Sequence, residues 1–269
     1  MQMFNSRYYR SVFAAMVERD LLAQWRDKGE FIFRVMMLPA VLIIIYGYIL
    51  PAIGMMPDHF QSQMFWGMVG MSILITGIHG TAIPFTMDFN NRHEIEDRLQ
   101  APVPVNLIAL AKMAVGIIEA FIGGLLVLPV SLLFMGSGLH LVLTVETVLA
   151  LVPLLLLIAL ASASLGLLVG TIVKPMEIAA MFPGFLMPLV FTGAIFFSWG
   201  ALSSVPVFQV LVLLNPLVYA NEALRYVTMP QLVSMPLYFS LLGLFISTVL
   251  MAGFGFRRFH HMASSQNGR

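Results

Sequence analysis

Residues 235–261 read MPLYFSLLGLFISTVLMAGFGFRRFHH, an apolar run of membrane-spanning length that ends in two arginines and two histidines. A helix needs about 20 consecutive apolar residues to cross a bilayer. Basic residues beside such a run keep that end of the helix in the cytoplasm. The run therefore predicts a membrane helix whose C-terminal end faces the inside.

The same pattern recurs along the chain and predicts six spans in all. With the last span placed at 235–256, the other five cover residues 31–50, 64–87, 107–135, 143–173 and 178–198. When the loops are assigned alternately to the two sides, all but one of the 14 Lys and Arg residues fall on one side, the exception being Arg225. This asymmetry predicts an all-α integral membrane protein with both termini in the cytoplasm.

The composition supports a membrane protein and excludes several kinds of functional site. Hydrophobic residues make up 59% of the chain and charged residues only 10%, against about 25% charged residues in soluble domains. The chain has no cysteine, which excludes disulfides and thiolate metal sites. It also has no phosphate-binding glycine loop, GxSxG elbow or HExxH pair, so we expect neither an enzyme nor a cofactor bound by this chain.

The sequence before the first span differs from the rest. Tyr8, Val12 and Met16 continue a four-residue apolar repeat from Phe4, with basic residues at other positions. This pattern is typical of an amphipathic helix lying along the membrane interface, with a soluble regulatory helix as the alternative. The predicted organisation is an interfacial helix over 1–30, a six-span domain over 31–258 and a cytoplasmic tail over 259–269. No cleavable signal precedes the first span, which we expect to act as its own insertion signal.

The region 199–230 is ambiguous. Residues 205–214 are apolar but too short to span, Asn215-Pro216 breaks the run, and Glu222 and Arg225 follow at i, i+3. A seventh span here would place both charges in hydrocarbon and reverse the side of the last basic cluster. We therefore expect a re-entrant or surface helical pair on the outer face, covering protein or a water-filled cavity.

The polar stretch 88–104, DFNNRHEIEDRLQAPVP, lies inside between the second and third spans. Asn90 or Asn91 can cap a short charged helix that ends before Pro102. A helix that docks a partner and a merely solvated loop both fit this pattern. One histidine among mixed charges favours a structural role over a metal site.

Four features inside the spans have both a structural and a functional interpretation. Glu119, midway along the third span, is either a protonated or hydrogen-bonded structural residue, which we favour, or a functional carboxyl. Lys112 is expected to extend towards the inner interface, and His79 to be structural. The aromatic side chains of the fifth span either face lipid or line a path for an amphipathic substrate.

With these features the chain resembles the permease subunits of type-2 ATP-binding-cassette exporters of the polysaccharide and drug type. Two stretches carry the resemblance: residues 95–102 (IEDRLQAP) followed by Lys112, and residues 214–225 (LNPLVYANEALR), which is the more specific. The family often has Gly-Thr where His93-Glu94 stand here, which is a departure in the inner helix.

The resemblance implies roles for three groups of residues. One group forms a helix that couples to an ATPase: Asn91, Arg92, His93, Glu94, Ile95, Glu96, Asp97, Arg98 and Leu99. A second group lines a substrate path: Tyr46, Trp66, Phe182, Phe185, Phe191, Phe196 and Phe197. The third group belongs to an outer lid: Asn215, Tyr219, Glu222 and Arg225.

The resemblance also implies the partners. A second copy of the chain would pair with it, and two cytoplasmic ATPase subunits would bind the ATP and Mg. The expected location is the bacterial inner membrane, in contact with lipid and not with nucleic acid, and the expected substrate is amphipathic or lipid-linked. The alternatives are a stand-alone secondary transporter or channel, for which Glu119 is the one candidate coupling group, and a lipid-modifying enzyme, for which no polar cluster is present.

Overall fold

The computed structural model describes residues 6–26, 28–57, 60–90, 103–139, 141 and 143–266, and within them the chain forms helices and no strand. We number the longer helices in chain order: α1 (Ser6–Gln24), α2 (Lys28–Ala52), α3 (Phe60–Asn90), α4 (Val105–Met135), α5 (Val145–Gly170), α6 (178–191), α7 (Pro206–Leu214), α8 (Pro216–Thr228) and α9 (Leu237–Gln266). Widened π-helical turns occur in α2 over Ile43–Ile49 and in α6 over Phe182–Leu186.

Five of these helices, α2, α3, α4, α5 and α9, are long and apolar enough to cross a membrane. They confirm the first, second, third, fourth and sixth predicted spans. The longest, α3 and α4, have 31 residues each, or about 46 Å at 1.5 Å per residue. Helix α9 continues beyond its predicted end, through Arg257 and Arg258 to Gln266.

The fifth predicted span, 178–198, is wrong in its C-terminal third. Its helix ends at Phe191, and residues 193–198 form a non-helical run. The 14 helical residues of α6 cover only about 21 Å, less than the roughly 30 Å of a hydrocarbon core. The apolar pattern of 192–198 is typical of a span, but contacts from another part of the chain hold this run in a different conformation.

The region after α6 is the bent pair that the sequence predicts. Helices α7 and α8 meet at Asn215 with an angle of 101° between them. Counted as one element, the pair is long and apolar enough to be a sixth span. The break at Asn215-Pro216 is confirmed.

Helix α3 is the most buried of the five long helices and packs against α4 and α5 through small residues. A Cβ atom on Gly166 of α5 would lie 3.0 Å from the Cα of Ile78, and one on Gly123 of α4 would lie 2.5 Å from Thr76 Oγ1. Such close approach of backbones is the usual basis of packing between membrane helices. By contrast, α2 and α9 are mostly exposed, so their apolar faces remain available to lipid or to another chain.

Helix α1 lies against the last turns of α3 and the first turns of α4. Met16 packs with Phe85 of α3 and Met113 of α4. Pro84 has no N–H group, which leaves the carbonyl of Gly80 without its usual helical donor. The Gln24 side chain donates a long hydrogen bond of 3.5 Å to that carbonyl. In place of the helix predicted over 1–30, α1 extends over Ser6–Gln24 in the described residues, and Lys28 and Glu30 belong to the start of α2.

Candidate functional site

The motif of residues 214–225 is the densest group of buried polar contacts in the described residues. At its start, Asn215 caps α8 because its Oδ1 accepts a hydrogen bond from Leu217 N at 2.9 Å, and Pro216 occupies the first helical position. The Asn215 amide also donates to Leu189 O at 2.6 Å and to Thr192 Oγ1 at 3.0 Å. One side chain therefore begins α8 and binds the end of α6.

Glu222 and Arg225 form an ion pair inside the protein, with neither side chain exposed to solvent. Arg225 Nη1 lies 2.9 Å from Glu222 Oε1. The same carboxylate accepts hydrogen bonds from Trp199 N at 2.9 Å and Met235 N at 2.7 Å. Each oxygen of the buried carboxylate is thereby hydrogen-bonded, as a buried ion pair requires.

Arg225 also donates to backbone carbonyls of the non-helical run 193–198, and its Nε donates to Gln63 O of α3 at 3.4 Å. Its guanidinium donates to the carbonyls of Ala194, of Ile195 at 3.1 Å and of Phe197 at 3.3 Å. The Asn221 amide donates to Gly193 O at 2.7 Å. Side chains of α8 therefore replace the hydrogen bonds that a continued helix would have supplied, which is what non-helical backbone at membrane depth needs.

Ala194, within this run, has an unfavourable backbone conformation that contacts with α8 stabilise. Its φ angle is +54°, a left-handed conformation that costs a residue with a side chain roughly 1–2 kcal/mol. The residue is fully buried, and its carbonyl is one of those bound by Arg225. The contacts with α8 therefore stabilise a backbone conformation that alanine rarely adopts by itself.

Tyr219, the remaining predicted lid residue, faces the last helix. Its hydroxyl donates to Leu213 O at 2.8 Å. Its ring lies where a Cβ atom on Gly243 of α9 would be only 2.4 Å away, so the glycine makes room for the ring. The structure thus places Asn215, Glu222 and Arg225 on the side of α8 that meets 189–199, and Tyr219 between α7 and α9.

The aromatic residues predicted to line a path are brought together only in part. Tyr46 of α2 lies 5.0 Å from Phe196, and Phe191 lies 6.0 Å from Phe196, measured between ring centroids. Trp66 is buried against Phe65 in the helical core. Phe197 packs instead against the bent pair, and Phe185 is exposed. The side chain of Phe182 lies outside the described residues.

A second polar cluster, which the sequence did not predict, surrounds Lys112. Its Nζ lies 2.7 Å from Asp20 Oδ2 of α1 and 2.8 Å from Asp88 Oδ2 of α3, and all three side chains are buried. Lys112 thus reaches α1, the helix predicted to lie at the interface, but two carboxylates hold its ammonium inside the protein and not in solvent. A four-residue apolar repeat in α1 that reaches Asp20 was the one available signal, since it places a carboxylate on the packed face.

The predicted coupling residues 91–99 lie outside the described residues. The segments on either side are described: α3 runs to Asn90, and α4 begins at Val105. The Lys112 cluster joins these two helices to each other and to α1. The two helices that flank residues 91–99 are thus joined to each other by an ion-pair cluster.

Glu119 faces the helical bundle, a position that both the structural and the functional interpretation allow. The residue is fully buried, and neither carboxyl oxygen has a hydrogen-bond partner among the described residues. It lies close to Gly80 of α3, where an added Cβ atom would be 2.5 Å from Glu119 Oε2. No group of three His, Cys, Asp or Glu side chains that could hold a metal ion occurs in the described part of the chain.

Comparison with known proteins gives two related findings. Residues 11–229 match the family model described as ABC-2 type transporter. The chain is 30% identical over 161 residues to a protein named inner membrane transport permease YadH from Escherichia coli K12, and equally to proteins of that name from Escherichia coli O157:H7 and Shigella flexneri. These alignments cover 60% of this chain and 59% of each relative. The family match includes α2 to α8 together with most of α1.

Proposed function

The chain belongs to the ABC-2 type transporter family, and from this membership we propose that it is the membrane permease of an exporter driven by ATP that a separate subunit hydrolyses. The observation that carries the proposal is the buried assembly of Asn215, Asn221, Glu222 and Arg225 on residues 189–199. This assembly explains physically why the motif by which the chain resembles such exporters has these residues at these spacings. The relatives' names support a location in the inner membrane.

We propose that residues 91–99 form the helix that couples the permease to the ATPase. The Lys112 cluster supports this role, because it joins both flanking helices and α1 within hydrogen-bonding distance. A displacement of the inner loop would therefore act on α1, α3 and α4 together. Asn91, Arg92, His93, Glu94, Ile95, Glu96, Asp97, Arg98 and Leu99 are the residues assigned to this contact.

The proposed substrate is amphipathic or lipid-linked. The group formed by Tyr46, Phe191 and Phe196 supports this choice, because it offers aromatic surface where α2 meets the non-helical end of α6. Phe191 is about half exposed, so its ring remains available for contact. The proposed path is completed by Trp66, Phe182, Phe185 and Phe197, with α7 and α8 as its outer lid.

Two copies of the chain and two ATPase subunits would make the working exporter. The exposed apolar faces of α2 and α9 support a further helical partner or lipid contact. The chain supplies the membrane path, and the ATPase subunits would bind ATP and Mg. The proposal therefore assigns no catalytic residue to this chain.

The direct test is purification of the chain with the ATPase subunit that binds it, followed by two substitutions in the inner loop. We expect Glu96→Gln and Leu99→Ala to lower substrate transport per ATP hydrolysed while the chain remains folded in the membrane. Glu146→Gln is the matched control, because Glu146 is exposed and lies at the end of α5 predicted to be outside. Unchanged coupling in both inner-loop variants, or an equal loss in the control, would contradict the assigned role.

A further inference from the structure

A charged cavity lies where α1 crosses the inner ends of the spans. It has a volume of about 780 Å³ and is enclosed by the second half of α1, the start of α2, the last turns of α3 and Lys112 of α4. Its walls combine four basic residues, three acidic residues and an apolar surface. This mixture distinguishes the cavity from the apolar grooves expected between lipid-facing helices.

The base of the cavity has no positive charge to offer a ligand. Lys112 is bound by Asp20 and Asp88 at 2.7 and 2.8 Å, so this buried group has a formal charge of −1. The positive charge that could bind a ligand is therefore supplied by residues on the walls of the cavity. The wall cations available for this purpose are Arg26 and Arg34, which form no ion pair with a carboxylate among the described residues, although the charge of Arg34 also acts on Glu119.

Arg34 is the residue that points most clearly to a missing ligand. Its Nε atom is buried and has no hydrogen-bond acceptor among the described residues, while its guanidinium lies 5.8 Å from the centre of the Phe31 ring. A buried donor without an acceptor costs about 1–3 kcal/mol, and more when it is charged. Phosphate oxygens suit a guanidinium especially well, because they accept paired, charge-assisted hydrogen bonds.

The apolar part of the wall indicates what the phosphate is attached to. Phe31, Ile83 and Pro84 line one side of the cavity, and Met87 beside them is 57% exposed. Free phosphate gains nothing from such a surface, whereas a lipid chain does. Arg34 lies six residues into α2, about 9 Å along its axis, a depth that suits a lipid headgroup at the membrane interface.

We propose that this cavity binds the phosphate-bearing headgroup of an anionic lipid, with Arg26 and Arg34 binding the phosphate and the wall formed by Phe31, Ile83, Pro84 and Met87 receiving the start of the acyl chains. This inference goes beyond the proposed function, because the site is formed by this chain alone. It assigns a lipid-binding role to the interfacial helix and the start of α2.

The test is lipid binding to the purified full-length chain, measured by native mass spectrometry with phosphatidylglycerol as the added lipid. We expect Arg26→Gln/Arg34→Gln to weaken binding by about thirtyfold, since each of the two basic side chains near an anionic headgroup contributes on the order of 1 kcal/mol. Arg257→Gln/Arg258→Gln is the matched control, because both arginines are exposed and predicted to lie on the same side of the membrane. The single variant Arg34→Lys keeps the charge and should keep most of the binding, which separates loss of the site from loss of folding.

Three results would overturn the proposal. The first is unchanged binding in Arg26→Gln/Arg34→Gln, and the second is an equal loss in the control pair, which would indicate general surface charge. The third is displacement of phosphatidylglycerol by inorganic phosphate at the same concentration, which would indicate a site for a free anion. Co-purification with the ATPase is measured separately in each variant, so that failure of the lipid site and failure of the proposed exporter function remain distinguishable.

Discussion

A fully buried arginine is stable in this protein because its donors meet acceptors from several directions. Arg225 pairs with Glu222 and donates to carbonyls of the run 193–198. Removing one partner of a buried ion pair is strongly destabilising, because the other charge stays inside without compensation. Arg225 thereby links the stability of α8 to the conformation in which α6 ends.

We predict that Arg225→Met destabilises the protein by about 3–5 kcal/mol, the range typical of broken buried ion pairs. The stability of Arg225→Lys should lie between that of Arg225→Met and that of the parent protein. Lysine keeps the charge but lacks the planar guanidinium that binds several carbonyls at once. The measurement is thermal unfolding of the purified protein in detergent, together with its yield from the membrane.

Arg257→Met is the control for this series, because Arg257 is exposed on α9. Its unfolding temperature should match that of the parent protein. If Arg225→Lys unfolds at the parent temperature as well, the carbonyl contacts do not carry the stability assigned to them. If Arg257→Met lowers the unfolding temperature as much as Arg225→Met does, the effect arises from the loss of any arginine and not from the broken ion pair.

The polar residues of this fold were predictable only where their partners are near in sequence. The spacing of Glu222 and Arg225 indicates a pair, since residues at i, i+3 lie on one face of a helix. The acceptors near position 195 are backbone carbonyls, which have no signature in the sequence. Lys112 meets Asp20, which is 92 positions earlier, and no periodic pattern relates residues so far apart.

At the level of helices, the length of each apolar segment predicted correctly that a span exists. It predicted less accurately where the helix ends. The start of α4 at Val105 lies within two residues of the predicted start of its span, because the apolar run begins abruptly after a polar loop. The end of α6 at Phe191 is followed by Thr192-Gly193 and then by another apolar stretch, so the sequence is compatible with a longer span. That end is set by α8, whose asparagines and arginine bind the freed backbone, and apolar periodicity does not describe such contacts.

The contact between Asp20 and Lys112 allows a test of how one ion pair positions helix α1. We predict that Asp20→Asn loosens α1 from α4, because it removes a buried charged contact with Lys112 worth about 1.5–3 kcal/mol. The chain has no natural cysteine, so a single Met16→Cys substitution reports on the packed face alone. Its rate of labelling by a maleimide should rise by about tenfold in the Asp20→Asn background.

Leu22→Cys is the matched control for this labelling, because Leu22 is 66% exposed on the same helix. It should react at the same rate with and without Asp20→Asn. An unchanged rate at Met16→Cys would mean that apolar packing against Phe85 and Met113 holds α1 without the ion pair. A rise at both positions would indicate general unfolding rather than release of the helix.

At the scale of the whole molecule, burial and charge divide the chain in two different ways. Burial separates a central helix, α3, from the exposed α2 and α9, so that outward-facing apolar surface is concentrated at the periphery. In the predicted topology, charge separates the two sides of the membrane, with Arg225 as the one basic residue on the side opposite to the other 13 of the 14 Lys and Arg residues. Because Arg225 is buried in an ion pair, it adds no free positive charge to the surface on its predicted side.

This orientation can be tested with two methionines in loops on opposite sides. Met55 is 68% exposed after α2, and Met176 is 96% exposed between α5 and α6. Each is replaced by the only cysteine in the chain, and intact cells are treated with a maleimide that does not cross the inner membrane. We predict that Met55→Cys is labelled in intact cells and that Met176→Cys is labelled only after the membrane is permeabilised, because Lys174 and the other basic loop residues hold that side in the cytoplasm. Labelling of Met176→Cys in intact cells would place residues 91–99 outside as well, beyond the reach of a cytoplasmic ATPase, and the proposed coupling would then be physically impossible.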